Sequence, residues 1–158
     1  MRTKKNYLRT TEPDTKYHSV LVTKLINRVM LDGKKTVASN HVYFAIDTVC
    51  KQTKIKPQEL MEEIIDKVAP KVEVRTRRVG GASYQVPMPV TPRRASSLAM
   101  RWLVTEAAKR PNAKHHTYGE KLATEILEAL NGEGGAIDKK NNAHRMAEAN
   151  KAFAHFKW

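Results

Sequence analysis

The sequence predicts a mainly α-helical domain: a six-helix body, a two-stranded β-hairpin arm between helices three and four, and a basic, extended N-terminal arm. Three observations predict it. Apolar residues recur at i, i+3 and i+4 through most of the chain, the spacing of helices with one buried face. Over residues 72–90 alone the period drops to two, around Gly80-Gly81. Most prolines and glycines fall between these stretches, where they punctuate rather than break them. With 158 residues, 41% of them hydrophobic, the chain is long enough to bury a core of its own, and 1–158 is expected to be a single domain.

Residues 1–17 show no periodicity and contain Pro13, which predicts an extended arm. Ser19 is a fair N-cap for a helix through Leu31, in which Leu21, Leu25 and Val29 form one i,i+4 set and Val22, Ile26 and Met30 another. Asp32-Gly33 ends it, with Gly33 available for a left-handed cap. A second helix, roughly 35–53, carries Ala38, His41, Val42, Ala45, Ile46 and Val49 on one stripe. Pro57 opens a third, with acids in its first turn and Leu60, Met61, Ile64, Ile65 and Val68 inward; Pro70 stops it.

The alternation of Val72 to Arg78 and of Tyr84 to Val90 then predicts the hairpin. A loop of Val79 to Gly81 pairs Val72 with Met88, Val74 with Val86 and Thr76 with Tyr84, which keeps the apolar side chains on one face and puts Gly81 at φ > 0. Pro87 and Pro89, two apart, put both missing N–H groups on one free edge. Thr91-Pro92 starts a fourth helix, to about Arg110, with Leu98, Met100, Trp102, Leu103 and Ala107; Pro111 ends it. Thr117 caps a fifth, with Tyr118, Leu122, Ala123, Ile126, Leu127 and Leu130 buried. A sixth runs from about Ile137 past Ala149, so poor in large apolar residues that it must lie on the surface or on a partner. The tail, 150–158, interleaves Phe153, Phe156 and Trp158 with Lys151 and Lys157.

Charge carries the first functional argument. There are 29 Lys and Arg against 16 Asp and Glu, a net charge of +13, and the pI is about 10.0, which points to a polyanion. The apolar runs are far shorter than a membrane span, and no apolar stretch follows the N-terminus, so neither a spanning helix nor a signal peptide is expected. A single cysteine, Cys50, excludes an internal disulfide framework and fits a reducing compartment. The cations cluster. Arg2, Lys4, Lys5 and Arg9 have no acid among them; Lys71, Arg75, Arg77, Arg78, Arg93, Arg94 and Arg101 have only Glu73; Lys139, Lys140, Arg145, Lys151 and Lys157 have only Glu148. Three acid-poor clusters fit multi-point phosphate contact better than a solvated face.

Motifs for other chemistry fail. Gly33-Lys34-Lys35 resembles the end of a phosphate loop, but Arg28 stands where the first glycine belongs and Lys35 where Ser or Thr belongs. Two lysines beside a helix start suit a backbone phosphate; ordinary turn chemistry explains them equally well. His115-His116 has no supporting ligands, and Cys50 suits a half-buried apolar position. No catalytic constellation, cofactor site or small-molecule substrate site is expected. Arg75, Arg77, Arg78 and Tyr84 place guanidinium forks and a ring on a protruding arm, which suits phosphates and unpaired bases. Trp102 fits the core better than a stacking platform, while the tail aromatics could pack back on the body or meet RNA.

Asp32-Gly33-Lys34-Lys35, Val72 to Arg75 with Arg77-Arg78-Val79-Gly80-Gly81 and Tyr84 to Pro87, Leu98 to Trp102, and His144 to Phe156 resemble, in order, the seventh protein of the small ribosomal subunit in its bacterial form. The resemblance implies direct, early binding to the 3′ major domain of small-subunit rRNA and nucleation of the subunit head. It also implies a position near exit-site tRNA and mRNA, with small-subunit proteins nine and eleven as neighbours. The rRNA-binding residues expected are Arg2, Lys4, Lys5, Arg9, Lys34, Lys35, Arg75, Arg77, Arg78, Arg93, Arg94, Arg101, Lys151, Lys157 and Trp158. Val79, Gly80, Gly81, Ala82, Ser83, Tyr84, Arg145 and Met146 are expected near tRNA and mRNA. The expected location is a cytoplasmic ribosome or a bacterial-type ribosome of an organelle. The chain departs from the family pattern at His41, usually aliphatic, in a longer loop over 111–116, and at Gly119, usually Ala, which should weaken the first turn of helix five. An architectural DNA-bending protein, which also uses basic β-arms with prolines, is the alternative; an RNA-processing enzyme lacks its catalytic groups.

Overall fold

A computed structural model describes residues 10–156. Six α-helices and one 3₁₀ helix are present among them: α1 Val20–Val29, α2 Lys35–Thr53, α3 Pro57–Val68, α4 Pro92–Lys109, α5 Tyr118–Asn131, α6 Gly135–Ala149 and η1 Lys151–Phe156. Strands β1 Val72–Val79 and β2 Ala82–Pro89 form a two-stranded antiparallel hairpin between α3 and α4.

Helix α5 is the centre of the body and packs on α2, α3, α4 and α6. The core is built from the stripes the sequence predicts. Leu25 and Ile26 of α1, Val42, Ile46 and Val49 of α2, Leu60, Met61 and Ile64 of α3, Leu103 of α4 and Leu122 and Ile126 of α5 are fully or almost fully buried in one cluster. Helix starts follow local chemistry. Pro57 and Pro92 open α3 and α4, where their missing N–H groups cost nothing. Thr117 and Glu120 form a reciprocal capping box at α5.

Several boundaries differ from expectation. Helix α1 stops at Val29 because Met30 is extended, at φ −58° and ψ 129°. Asp32 and Gly33, at φ 52° and 74°, therefore make the α1–α2 turn instead of capping α1. The N-terminal arm is not extended as far as Tyr17. The Asp14 carboxylate accepts the N–H groups of Lys16 and Tyr17 and the Tyr43 hydroxyl, while Lys16 and the Tyr17 hydroxyl donate to Asp47 on α2. Residues 14–17 are thus a turn fastened to α2. The expected contacts of Arg2, Lys4, Lys5, Arg9, Lys157 and Trp158 lie outside the described residues.

The hairpin register is one residue away from the expected one. Val72 pairs with Pro89, Val74 with Pro87, Arg77 with Tyr84 and Val79 with Ala82. The loop is Gly80-Gly81 alone, both at positive φ, 57° and 89°, the conformation of a tight two-residue hairpin turn. Cross-strand pairing puts Tyr84, Val86 and Met88 on one face and Val72, Val74 and Pro87 on the other. Val86 is fully buried, and Tyr84, Met88, Val72, Val74 and Pro87 are half-buried, so apolar side chains cover both faces near the base. Pro87 and Pro89 keep the outward edge that the sequence predicts. The Val90 N–H donates to Lys71, fixing residues 82, 84, 86, 88 and 90 as inward-bonded and 87 and 89 as outward. The tail packs on the arm: Phe153 and Phe156 lie 5.3 and 5.1 Å from the Tyr84 ring centroid.

Candidate nucleic-acid interface

The cations gather at two places along α4, one facing α1 and the other at the hairpin base. Along α4, Arg93, Ser97 and Arg101 are four apart and share a face. Lys24 and Arg28, also four apart, share a face of α1. A cleft of about 360 Å³ opens between these helices, lined by Thr11, Lys24, Asn27, Arg28, Arg93, Ser96, Ser97 and Met100. No acid lines it. The Arg28 guanidinium reaches Ser97 Oγ at 3.4 Å across the cleft. Three cations and three hydroxyls converging without a carboxylate suit the phosphates of a nucleic-acid backbone. Sequence reasoning named Arg93 but missed Lys24, Arg28 and Ser97; the signal was the i,i+4 cationic pair on the polar face of α1.

The second gathering is at the hairpin base, where Glu73, the one acid among the cations of 71–101, is paired. Glu73 Oε2 accepts Arg94 Nε at 2.9 Å, and Glu73 Oε1 accepts Arg75 Nε at 2.6 Å. Burial pushes the Glu73 carboxyl up, but the hydrogen bonds from Arg94 and Arg75 outweigh it and hold the group below its usual value. Two guanidinium groups share one carboxylate, so the trio keeps one net positive charge and fixes β1 to α4. Arg94 therefore has an internal anion, whereas Arg93, in the same helix turn, faces the acid-free cleft.

Other predicted residues are dispersed. Lys34 and Lys35 are exposed at the start of α2, a helix with no acid in its first turn. Lys35 lines a recess with Thr10 to Thr15, and Lys34 lines a separate groove with Val37 and Leu31. Arg78 is exposed opposite Ser83, and Arg77 is half-buried opposite Tyr84. Gly80, Gly81, Ala82 and Ser83 are exposed at the tip, and Val79 is half-buried. Arg145 and the 50% exposed Met146 lie on α6, and Lys151 is exposed at the start of η1.

At the root of the hairpin, His144 Nε2 accepts the Lys71 N–H at 3.0 Å, so this ring nitrogen is unprotonated. Burial, with Lys140 and Lys71 nearby, pushes its pKa down. Among the described residues no group of three potential metal ligands is present, and no helix is long and apolar enough to cross a membrane.

The sequence that builds this geometry has close relatives. The chain is 56% identical to small ribosomal subunit protein uS7 of Dictyoglomus turgidum over 146 residues, 92% of each chain. It is 53% identical to that of Dichelobacter nodosus over 146 residues, again 92% of each. It is 52% identical to that of Thermosipho africanus over 158 residues, the full length of both. The sequence profile described as Ribosomal protein S7p/S5e matches residues 1–151. The profile match over residues 1–151 and the relatives that share half or more of its residues over nearly its whole length make this chain a member of the ribosomal protein S7p/S5e family.

Proposed function

We propose that this protein is a structural, non-catalytic constituent of the small ribosomal subunit that binds the 3′ major domain of its rRNA directly and nucleates assembly of the subunit head. The family membership supports the ribosomal role. The observation that carries the RNA contact is the acid-free cleft of Lys24, Arg28 and Arg93, backed by the Arg75–Glu73–Arg94 trio at the hairpin base. Cations on α1, α4 and the arm can each take a phosphate from a different RNA helix, and simultaneous binding fixes the angles between those helices. Readout of paired RNA is then mainly of shape and backbone. The exposed glycine tip of the arm is the surface for exit-site tRNA and mRNA, whereas Arg145 and Met146 line a separate cavity at its root. Small-subunit proteins nine and eleven are its protein neighbours.

The test is the salt dependence of binding to a transcribed 3′ major domain fragment, with duplex DNA as competitor. Replacing Lys24, Arg28 and Arg93 together by Ala should lower the salt slope by about 3, roughly 1 per phosphate contact. Equal affinity for duplex DNA would favour the DNA-bending class instead.

A further inference from the structure

Helix α6 has too few large apolar residues to be a core helix, yet one side of it closes a cavity. The cavity, about 550 Å³, lies between the hairpin base, α4 and α6; its walls include Val72 and Val74, Leu98 and Trp102, and Arg145 and Met146. Its volume falls in the range of small-ligand sites. Trp102 is half-buried: it packs against the core and also forms cavity wall, so it is neither wholly core nor wholly surface. Met146 stands 50% exposed on the opposite wall. Lys139 and Arg145 contribute two cations, and the Arg145 guanidinium donates to Asn142 Oδ1 at 2.6 Å, which holds the fork against α6. The lining acid, Glu73, is already committed to Arg75 and Arg94. An aromatic wall, a flexible thioether and a cationic rim suit a flat aromatic group that carries negative charge beside it. An acidic or apolar peptide would match the rim or the walls, but not both.

We propose that this cavity takes one unpaired nucleotide of the small-subunit rRNA, its base stacked against Trp102 and its phosphate held by Lys139 and Arg145. The inference rests on the rRNA-binding function above and specifies one contact within it. A base within a duplex cannot enter a recess of this kind, so the site selects a splayed nucleotide at a junction or bulge. Its position at the arm's root, beside Arg75 and Arg94, puts it on the rRNA-facing base of the hairpin and away from the tip.

The chain holds two tryptophans, Trp102 and Trp158, so Trp158→Phe leaves Trp102 as the sole reporter. A transcribed 3′ major domain fragment should quench Trp102 emission in step with its mobility shift. A fully paired RNA duplex should shift without quenching. Ultraviolet irradiation of the rRNA complex should leave one nucleotide on the peptide carrying Trp102 or Met146. Lys139→Ala with Arg145→Ala, both at exposed positions, should weaken rRNA binding about tenfold at unchanged melting temperature. A mobility shift with neither quenching nor crosslink overturns the nucleotide site and leaves rRNA binding standing. Quenching by tRNA or an mRNA oligonucleotide alone, or a protein crosslinked there in assembled subunits, gives the cavity to another occupant. Absence of any shift with the fragment, in the unsubstituted chain as in Trp158→Phe, overturns the rRNA reading and this one with it.

Discussion

Glu125 is a carboxylate within the core, its side chain only 2% exposed. Arg110 holds it through Nε at 3.0 Å and Nη2 at 2.7 Å and also grips Glu128, while the other Glu125 oxygen accepts the Ala136 N–H at 2.9 Å. One guanidinium thus ties the end of α4 to α5, and the carboxylate beyond it holds the first turn of α6. Removing Arg110 leaves a buried charge without its partner. Arg110→Met should cost about 3–5 kcal/mol in urea denaturation, and adding Glu125→Gln should recover part of it. Equal stability of the single and double variants would deny the pair its role. Sequence alone did not reveal this pair, because the residues are 15 apart on separate helices and a lone glutamate on a helix reads as solvated. His144 is the second case. Its folded pKa is depressed, so the unfolded chain takes up a proton first as the pH falls. Stability should be full above about 6.5 and decline toward acid as pH drops through the folded value, with the Lys71 N–H losing its acceptor. Thermal melts from pH 8 to 5 should show this decline, and His144→Gln should flatten it.

Among the elements, the helices were legible and the hairpin register was not. Leu25, Ile64 and Leu122 each have a helical neighbour set that only one face can bury, so period alone located them. In the arm, alternation could not choose a face, because Val72 and Val74 are covered on one side and Val86 and Tyr84 on the other. With both faces in use, the two glycines at positive φ decide the turn. Gly119, expected to weaken α5, has a reason in packing: a Cβ there would meet Phe44 Cδ1 at 2.9 Å and the His41 carbonyl at 3.2 Å. The α4 arginines divide by partner, which sequence could not foresee, since Glu73 lies 21 residues from Arg94. Arg93→Ala should therefore lower the salt slope of rRNA binding by about 1. Arg94→Ala should lower it less and loosen the hairpin base, seen as faster amide exchange in β1. Identical slopes for the two variants would mean that Glu73 shields nothing.

For the whole molecule, the body and the arm are separable tests. Leu25 and Ile64 are fully buried in the single core, and Leu25→Ala or Ile64→Ala should each destabilise by roughly 2–5 kcal/mol in thermal unfolding. An unchanged melt would mean that the stripes face elsewhere. The tip needs a more careful cut, because Tyr84 also seats Phe153 and Phe156. Replacing Arg78 to Ser83 by Asn-Gly moves the two-residue turn inward and keeps Arg77 opposite Tyr84. Incorporation of that variant into small subunits should stay largely intact while release of exit-site tRNA changes. Loss of incorporation with normal release would make the tip an rRNA anchor. The outward row of β2 has a further consequence for the free protein. At Pro87 and Pro89 the strand has no hydrogen to offer, so along that stretch it cannot template another copy's strand. A chain of net charge +13, when free of bound RNA, is thereby protected from fibre-like self-association as well as by charge repulsion. Pro87→Val with Pro89→Val should leave the melting temperature nearly unchanged and raise light scattering on storage.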